Sequence, residues 1–411
     1  MAIETIRDAT TDSSPPFLAA LLTPQAYPHR SERVEMRQTH ISWVFLVGGF
    51  VYKVKKPLHL AFLDYSTLEL RRHFCLEEVR LNRRLAPQVY LGVVPILRRG
   101  AGFEVRALGS SASPAEVVEE YAVLMRRLPE ERMLDRLLRR RGASAMPVDS
   151  IAERLAAFHR ACPVGAAARW GTADAIRELV LANLRETDPF VGATLRLADR
   201  ELVEHAELGF IEAHRDLLGR RVKHGFVREV HGDLRPEHIC LTDDGVVVFD
   251  CVEFSERFRT CDVVSEIAFL TMELDFLGFP ELAEDLSRAY STHSADDEIK
   301  SLLPFYGAYR AYVRGKVESL KSGEREVPAQ ERETARESAD RYFRLASRYV
   351  RGPRPAALIA VLGLSGTGKS TVARVASELT GFPVYSSDLV RKEIGQREGL
   401  TEPEQIGRAH V

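Results

Sequence analysis

Two aspartates in this chain have the placement expected of the carboxylates in a phosphoryl-transfer site. Asp233 lies in a short segment that reads His231-Gly232-Asp233, and Asp250 ends the apolar run over residues 246–249. Transfer of a phosphoryl group to a hydroxyl needs a carboxylate that orients the hydroxyl and accepts its proton, together with oxygen ligands for Mg²⁺. We therefore take Asp233 and its neighbour His231 as candidate catalytic residues, and Asp250 as a candidate metal ligand.

The simpler alternative is that both aspartates are turn or capping residues, which a His-Gly-Asp triplet alone would allow. Three features of the context favour chemistry instead. His238 follows Asp233 at the spacing of a second metal ligand, the Asp-Asp-Gly sequence at 243–245 predicts a hairpin turn, and the strand after it ends in Asp250. His238 is therefore a second candidate metal ligand.

A second phosphate-binding signature, Gly-Leu-Ser-Gly-Thr-Gly-Lys-Ser-Thr, occupies residues 363–371. An apolar run over 356–363, predicted as a strand, precedes it, and a helical pattern over 371–379 follows, which is the context that a P-loop requires. Backbone N–H groups at the helix N-terminus would bind phosphate, Lys369 would reach the β- and γ-phosphates, and Ser370 would hold Mg²⁺. The nucleotide-binding residues predicted in this motif are Gly363, Gly366, Gly368, Lys369, Ser370 and Thr371.

The elements that must position these residues change character along the chain. Strand patterns dominate before residue 149, and a helix beginning at Ser66 interrupts them, because Ser66 and Glu69 have the spacing of a capping box. Helical patterns dominate from 149 to 224 and again from 262 to 349. Strands are predicted over residues 34–47, 50–54, 90–95, 103–108 and 121–125 and, as a hairpin, over 239–241 and 246–249.

The segment from His231 to Asp250 resembles the catalytic segment of the aminoglycoside phosphotransferase-like branch of the protein-kinase-like superfamily. The whole layout is similar to bacterial bifunctional chains in which such a domain precedes a P-loop ATP-binding domain of the AAA-family ATPase, gluconate-kinase-like kind. The resemblance implies an α+β bilobal protein-kinase-like domain followed by a truncated α/β P-loop NTPase domain. The implied divisions are an N-terminal extension over 1–30, the phosphotransferase-like domain over 31–351, a linker over 352–355 and a partial P-loop domain over 356–405.

The resemblance also implies roles for residues of the strand-rich part. Lys53 would contact the phosphates of ATP, with Lys55 as a close competitor, and a glutamate of the following helix would pair with it. Glu77 and Glu78 both flank the apolar face of that helix, so periodicity does not choose between them, and the family pattern favours Glu78. The hinge that touches adenine through its backbone would begin at Met125.

One departure from the family pattern concerns the metal. His238 stands where the family has the asparagine that binds a second Mg²⁺, and imidazole is a poor Mg²⁺ ligand, so either Glu237 helps or that site is altered. Asp262 resembles an aspartate that braces the catalytic loop, although a plain helix N-cap accounts for it equally well. The alternative function that remains open is a nucleotide-binding regulatory protein with little or no catalysis.

The P-loop domain is expected to be inactive as it stands. By resemblance to gluconate-kinase-like enzymes, Asp388 would face the acceptor and Arg391 would contact substrate, although a strand-end cap explains Asp388 nearly as well. From residue 356 onward the chain is too short to bury a sizeable core, and residues 406–411 resemble the translation of a sequencing-library adapter. We therefore expect a truncated, marginally folded module. A further alternative is that the intact protein's chemistry resides in this half, under control of the first domain.

The composition is that of an ordinary globular protein. The 411 residues carry a formal net charge of -2, which gives no reason to expect nucleic acid or an anionic membrane as a partner. No apolar run is long enough to span a bilayer and the N-terminus does not have the pattern of a signal peptide, so we expect a cytoplasmic protein. The cofactors predicted are ATP and Mg²⁺, and the predicted partner is a small-molecule acceptor. Glu266, Glu273 and Asp275 could supply an acidic pocket for a polycationic aminoglycoside, but we expect them on solvated helix faces.

Overall fold

The computed structural model describes residues 4–5, 15–60, 63–110, 113, 116–142, 146–324, 327–352, 359–364, 366–380, 382–387 and 390. The chain divides into two compact units, Met1–Gly352 and Pro353–Val411. The first unit contains a strand-rich lobe followed by a helix-rich lobe, in the order that the sequence predicts.

The strand-rich lobe is built on one antiparallel sheet. In chain order its elements are β1 (Glu4–Thr5), α1 (Phe17–Leu21), β2 (Val34–Gln38), β3 (Ser42–Val47), β4 (Phe50–Lys55), β5 (His59–Leu60), β6 (Leu63–Asp64), α2 (Leu68–Asn82), β7 (Tyr90–Arg99), β8 (Gly102–Val105) and β9 (Val118–Arg126). Within the described residues, seven strands join in the order β1-β2-β3-β4-β9-β7-β8. Residues 17–27, which the sequence assigned to an extension, bring Phe17 and Tyr27 into the same core as Phe45 of the sheet.

Helix α2 begins one residue later than the sequence predicts. The N-cap is Thr67, whose backbone is extended and whose Oγ1 accepts the N–H of Leu70 at 3.2 Å. Ser66 precedes the cap, and its N–H donates to Asp64 Oδ1 at 2.9 Å. The predicted capping box of Ser66 and Glu69 is therefore wrong, because adjacent Ser and Thr residues are both competent caps and the local turn at Asp64 decides between them.

The helix-rich lobe carries the predicted short hairpin at its junction with the sheet. Its elements are α3 (Leu134–Arg141), α4 (Val148–Ala161), α5 (Ala173–Thr187), α6 (Leu197–Ala213), α7 (Arg215–Lys223), β10 (Val227–Glu229), β11 (Ile239–Thr242), β12 (Gly245–Val248), α8 (Glu256–Arg259), β13 (Thr260–Asp262), α9 (Val263–Phe276), α10 (Pro280–Ser294), α11 (Ile299–Gly323) and α12 (Ala329–Arg351). Helix α9 is buried on every side over its first twelve residues, so it forms the axis of this lobe. No helix within the described residues is long and apolar enough to cross a membrane.

The second unit contains one described helix, α13 (Lys369–Thr380), which matches the helix predicted after the P-loop motif. The strand predicted over 356–363 is not formed in its described part, 359–363. A strand needs a neighbour to satisfy its backbone groups, and none of the described residues of this unit is in a strand. The side chains of Leu362 and Leu364 are 89% and 82% exposed, as expected where no sheet covers them.

Candidate active site

The loop that carries Asp233 connects β10 to β11 and depends on a glycine. Gly232 has a φ of +88°, and a Cβ at this position would lie 3.1 Å from the Cα of Arg259 and from the carbonyl oxygen of Phe258. Both the positive φ and the close backbone approach make a side chain at this position unfavourable. The loop can therefore pack tightly against residues 258–259 and turn Asp233 outward.

A buried glutamate of α9 holds the backbone of this loop. Glu266 accepts the N–H of His231 at 2.9 Å and that of Gly232 at 2.7 Å, and its Oε1 lies 3.1 Å from Nε2 of His159. Burial by itself raises the pKa of Glu266, but His159, His231 and these N–H groups outweigh burial and bring the pKa to about 2. The expectation that Glu266 and Glu273 lie on a solvated helix face is wrong, since both are buried, because α9 runs through the core.

Asp262, the residue expected to brace the loop, has other partners. Its Oδ1 accepts the N–H of Val264 at 2.9 Å, which makes it the N-cap of α9, and its Oδ2 lies 2.5 Å from Nε of Arg221. The capping explanation is therefore the one that the structure supports, and the bracing contacts belong to Glu266 one turn further along the same helix.

The carboxylate of Asp233 is partly exposed, at 25% of its side-chain surface, and Nε of Arg235 lies 3.1 Å from its Oδ1. Burial raises the pKa of Asp233, even though His238 and Arg314 act in the opposite direction. A raised pKa increases the affinity of this carboxylate for a proton, which favours a role as base.

His231 connects the loop to the end of β12 through hydrogen bonds. Its Nε2 donates to the carbonyl oxygen of Phe249 at 2.8 Å, and its Nδ1 accepts the N–H of Asp233 at 3.3 Å. Both ring nitrogens thus bind backbone groups, which fixes the spacing between the loop and the segment that leads from β12 to Asp250.

Asp250 turns its carboxylate toward the sheet of the other lobe. Its φ is +65°, unusual for a residue other than glycine, and its N–H donates to the hydroxyl of Tyr90 at 3.2 Å. Its Oδ1 lies 2.5 Å from Nζ of Lys53. Burial raises the pKa of Asp250, but the ammonium of Lys53 together with His238 outweighs burial and holds the pKa well below its usual range. Asp250 is therefore an ionised carboxylate, as a metal ligand must be.

The structure distinguishes Lys53 from Lys55 on β4, and Glu78 from Glu77 on α2. Glu78 is buried, with Oε1 2.9 Å from Nζ of Lys53 and Oε2 2.7 Å from Nζ of Lys55. Glu77 is partly exposed, at 25% of its side-chain surface, and pairs with Arg80 at 2.8 Å. Of the two lysines, Lys53 is the one that reaches Asp250. The chain thus brings Lys53 and Glu78 together as the predicted ion pair, and it places Asp250, the predicted metal ligand, beside Lys53.

His238 lies between the two aspartates. Its Nδ1 is 2.8 Å from the backbone carbonyl oxygen of Asp233, and its Nε2 is 3.6 Å from Oδ2 of Asp250. A carbonyl oxygen only accepts hydrogen bonds, so Nδ1 of His238 donates to it and Nε2 is the ring nitrogen that faces Asp250. Oε1 of Glu237 lies 3.9 Å from the same Nε2. One imidazole ring therefore spans the distance between the candidate base and the candidate metal ligand.

The remaining predicted residues lie elsewhere or outside the described part of the chain. Met125 is buried near the end of β9, where it pairs with Val51 of β4 and Tyr90 of β7.

In the P-loop motif, Gly363, Gly366 and Gly368 have φ values of +155°, +79° and +83°. Lys369, Ser370 and Thr371 open α13, and Nζ of Lys369 donates to the carbonyl oxygen of Leu364 at 2.6 Å. Asp388, Arg391 and residues 406–411 lie outside the described residues.

An antiparallel sheet joined to a helical lobe, with this loop and Asp250 at the junction, defines a kinase-like fold. The sequence matches the model of the "Phosphotransferase enzyme family" over residues 70–302, more than half of the chain. Uncharacterized proteins of Mycobacterium tuberculosis and Mycobacterium bovis are 32% identical over 378 residues, covering 90% of this chain and 71% of the relative. The chain belongs to the phosphotransferase enzyme family, and its predicted enzyme class, an ATP-dependent kinase or phosphotransferase, is confirmed.

Two solved structures have lower similarity. A choline/ethanolamine kinase family protein from Mesorhizobium loti is 14% identical with a TM-score of 0.46, covering 81% of this chain and 97% of its own. A choline kinase from Cryptosporidium parvum is 10% identical with a TM-score of 0.43, covering 78% of this chain and 92% of its own.

Proposed function

We propose that this enzyme transfers the γ-phosphoryl group of ATP to a hydroxyl of a small molecule, with Asp233 as the base. The observation that carries the proposal is the position of His238, whose ring touches the Asp233 backbone with one nitrogen and faces the Asp250 carboxylate with the other. A hydroxyl beside Asp233 and a phosphate beside Asp250 would then be within reach of each other.

Lys53 is the residue proposed to bind the phosphates. Burial lowers the pKa of Lys53, but Asp250 and Glu78 outweigh burial and raise it well above its usual range, so the ammonium stays charged. Glu78 orients this ammonium from the side of α2. The backbone near Met125 would contact adenine, since β9 is the neighbour of β4 in the sheet.

Asp250 is the residue that would hold Mg²⁺, and His238 faces the same space with a nitrogen that is a poorer ligand for this ion. Oδ2 of Asp250 faces Nε2 of His238 at 3.6 Å, and two donors of one Mg²⁺, each about 2.1 Å from the ion, lie roughly 3 Å apart at a right angle. Within the described residues no three His, Cys, Asp or Glu side chains converge as a metal site. The phosphates of ATP would therefore complete the ligand set, which is usual for Mg²⁺, and the ion would neutralise phosphate charge.

The acceptor is proposed to be an uncharged, hydroxylated molecule rather than a polycation. The acidic residues that could attract a polycation are matched by protein groups. Glu273 accepts from the hydroxyl of Tyr342 at 2.9 Å and lies 3.1 Å from Arg314, and Asp275 lies 2.5 Å from Arg348. Glu237 similarly pairs with Arg235 at 2.6 Å. An acidic residue that is already paired offers little net attraction to a cationic substrate.

The P-loop unit is proposed as a second ATP-binding module that does not turn over ATP in this chain. The positive φ values at Gly366 and Gly368 and the helix beginning at Lys369 support phosphate binding at that helix N-terminus. The exposed Leu362 and Leu364 support the expectation that the module is marginally folded.

The test is ADP release by the full chain with Mg²⁺ and ATP against a panel of sugars, polyols and aminoglycosides. Asp233→Asn is compared with Asp244→Asn, which changes an exposed aspartate in the hairpin turn. We expect transfer to an uncharged hydroxylated acceptor, a loss of about 10²–10⁴-fold in kcat for Asp233→Asn, and no loss for the control. Equal rates in all three proteins would refute the proposal.

The second candidate, a nucleotide sensor without transfer, is favoured by one observation, the histidine at position 238. Magnesium-dependent ATP binding by the wild-type chain, with no phosphorylated product from any acceptor, would select it over transfer.

A further inference from the structure

A second lysine of β4 lies beside the proposed site and is completely buried. Nζ of Lys55 donates to Oε2 of Glu78 at 2.7 Å, to the hydroxyl of Tyr65 at 3.3 Å, and to Oε1 of Glu253. An ammonium has three N–H donors, and these three partners match them. The hydroxyl of Tyr65 also donates to Glu253 at 2.5 Å, so the cluster is internally bonded.

The contacts of Lys55 close a ring of charges around the proposed nucleotide site. Glu253 contacts Lys55, Lys55 contacts Glu78, Glu78 contacts Lys53, and Lys53 contacts Asp250. Asp250 and Glu253 belong to the same short segment, so the ring returns to its start. It joins three pieces of chain that are far apart in sequence: β4, α2 and residues 250–253.

A ring of this kind is a poor way to gain stability alone. Removing charges from water costs several kcal/mol per ion, and a buried ion pair often contributes no more to stability than apolar side chains of similar size. Its distinctive property is geometric, because each member accepts only a narrow range of positions for its partners.

We propose that Lys55 is a positioning residue of the phosphoryl-transfer site, acting through Glu78 and Glu253 to align Lys53 and Asp250. The inference rests on the proposed function. Because Lys55 binds the second carboxylate oxygen of Glu78, Lys53 is not the only link between β4 and that residue of α2, and its ammonium can be directed to the phosphates. Because Lys55 also binds Glu253, the distance between β4 and the segment that carries Asp250 is fixed.

The test compares Mg²⁺-dependent ATP affinity in the full chain. The double variant Lys55→Met with Glu253→Gln removes one cation and one anion, so the net charge of the cluster is unchanged. Every sample also carries Lys369→Met, which silences the P-loop motif. Calorimetry gives the Kd for ATP with Mg²⁺ and with EDTA, and thermal unfolding gives the Tm.

We expect the gain in affinity from Mg²⁺ to fall at least tenfold in the double variant while the folded structure is kept. A purely structural role would lower the Tm and leave this gain unchanged in the folded protein, and that result would overturn the inference. If the double variant does not fold, the single variant Glu253→Gln is measured instead. We expect it to reduce the gain in ATP affinity from Mg²⁺ by a smaller factor, and an unchanged gain would overturn the inference. If Mg²⁺ gives no gain in ATP affinity in the reference protein, in which Lys55 and Glu253 are intact, the proposed function itself is contradicted.

Discussion

Replacing Glu266 by glutamine tests whether one buried carboxylate holds the catalytic loop. The pKa of Glu266 lies near 2 in the folded protein, against 4.5 as its ordinary value. At about 1.36 kcal/mol per pKa unit, this difference corresponds to about 3 kcal/mol of stability from the ionised form. Because the folded pKa is the lower one, the contribution is complete above about pH 5 and is lost as the pH falls toward 2.

The assay is urea unfolding of the wild type, Glu266→Gln and the control Glu201→Gln, whose side chain is exposed on α6. We expect Glu266→Gln to be less stable than the wild type by about 3 kcal/mol at neutral pH and by about 2 kcal/mol at pH near 3.5. The variant should also have a lower kcat, since the N–H groups of His231 and Gly232 lose their charged acceptor. A destabilisation below about 0.5 kcal/mol, the range of ordinary surface changes, or one that does not shrink with pH, would refute the reasoning.

Two further predictions concern neighbouring parts of the site. Glu78→Gln should raise the KM for ATP at least tenfold in a steady-state assay, because Lys53 and Lys55 lose the carboxylate that they share. The control Glu77→Gln changes the adjacent, more exposed residue of α2 and should leave the KM unchanged. Similar effects of the two substitutions on the KM would contradict the geometry. Gly232→Ala should cost more stability in urea unfolding than Gly278→Ala, by about 1–3 kcal/mol. Both glycines have positive φ, but only at Gly232 would a Cβ meet backbone atoms within 4 Å, so equal losses would count against the tight loop packing.

The local motifs were predictable because their chemistry is contained in a few consecutive residues. The loop from His231 to His238 and the hairpin that precedes Asp250 depend on turn residues and on short apolar runs, which sequence patterns report directly. The longer strands of the first lobe were found in the same way, although residues 34–47 form two strands, β2 and β3, and the two-residue strands β1, β5 and β6 were not predicted. The kinase-like fold was predicted from the family resemblance that these motifs carry.

The contacts that hold the site together were less predictable, because they join distant segments. Lys53 and Lys55 lie two residues apart on the same face of β4, so strand periodicity treats them alike, and only the position of Asp250 separates them. Glu77 and Glu78 flank the same helix face. Glu266 was taken as solvated because a carboxylate on a helix usually is. The available signal was the apolar composition of α9 around all of its faces, which is typical of a helix that runs through a core.

The most direct measurement is a crystal structure of the full chain with Mg²⁺ and a non-hydrolysable ATP analogue. We expect the phosphates between Lys53 and Asp250, the metal on Asp250 beside His238, and the terminal phosphate facing Asp233. A nucleotide bound only at residues 363–371, with the space beside Asp250 closed to it, would overturn the proposed function.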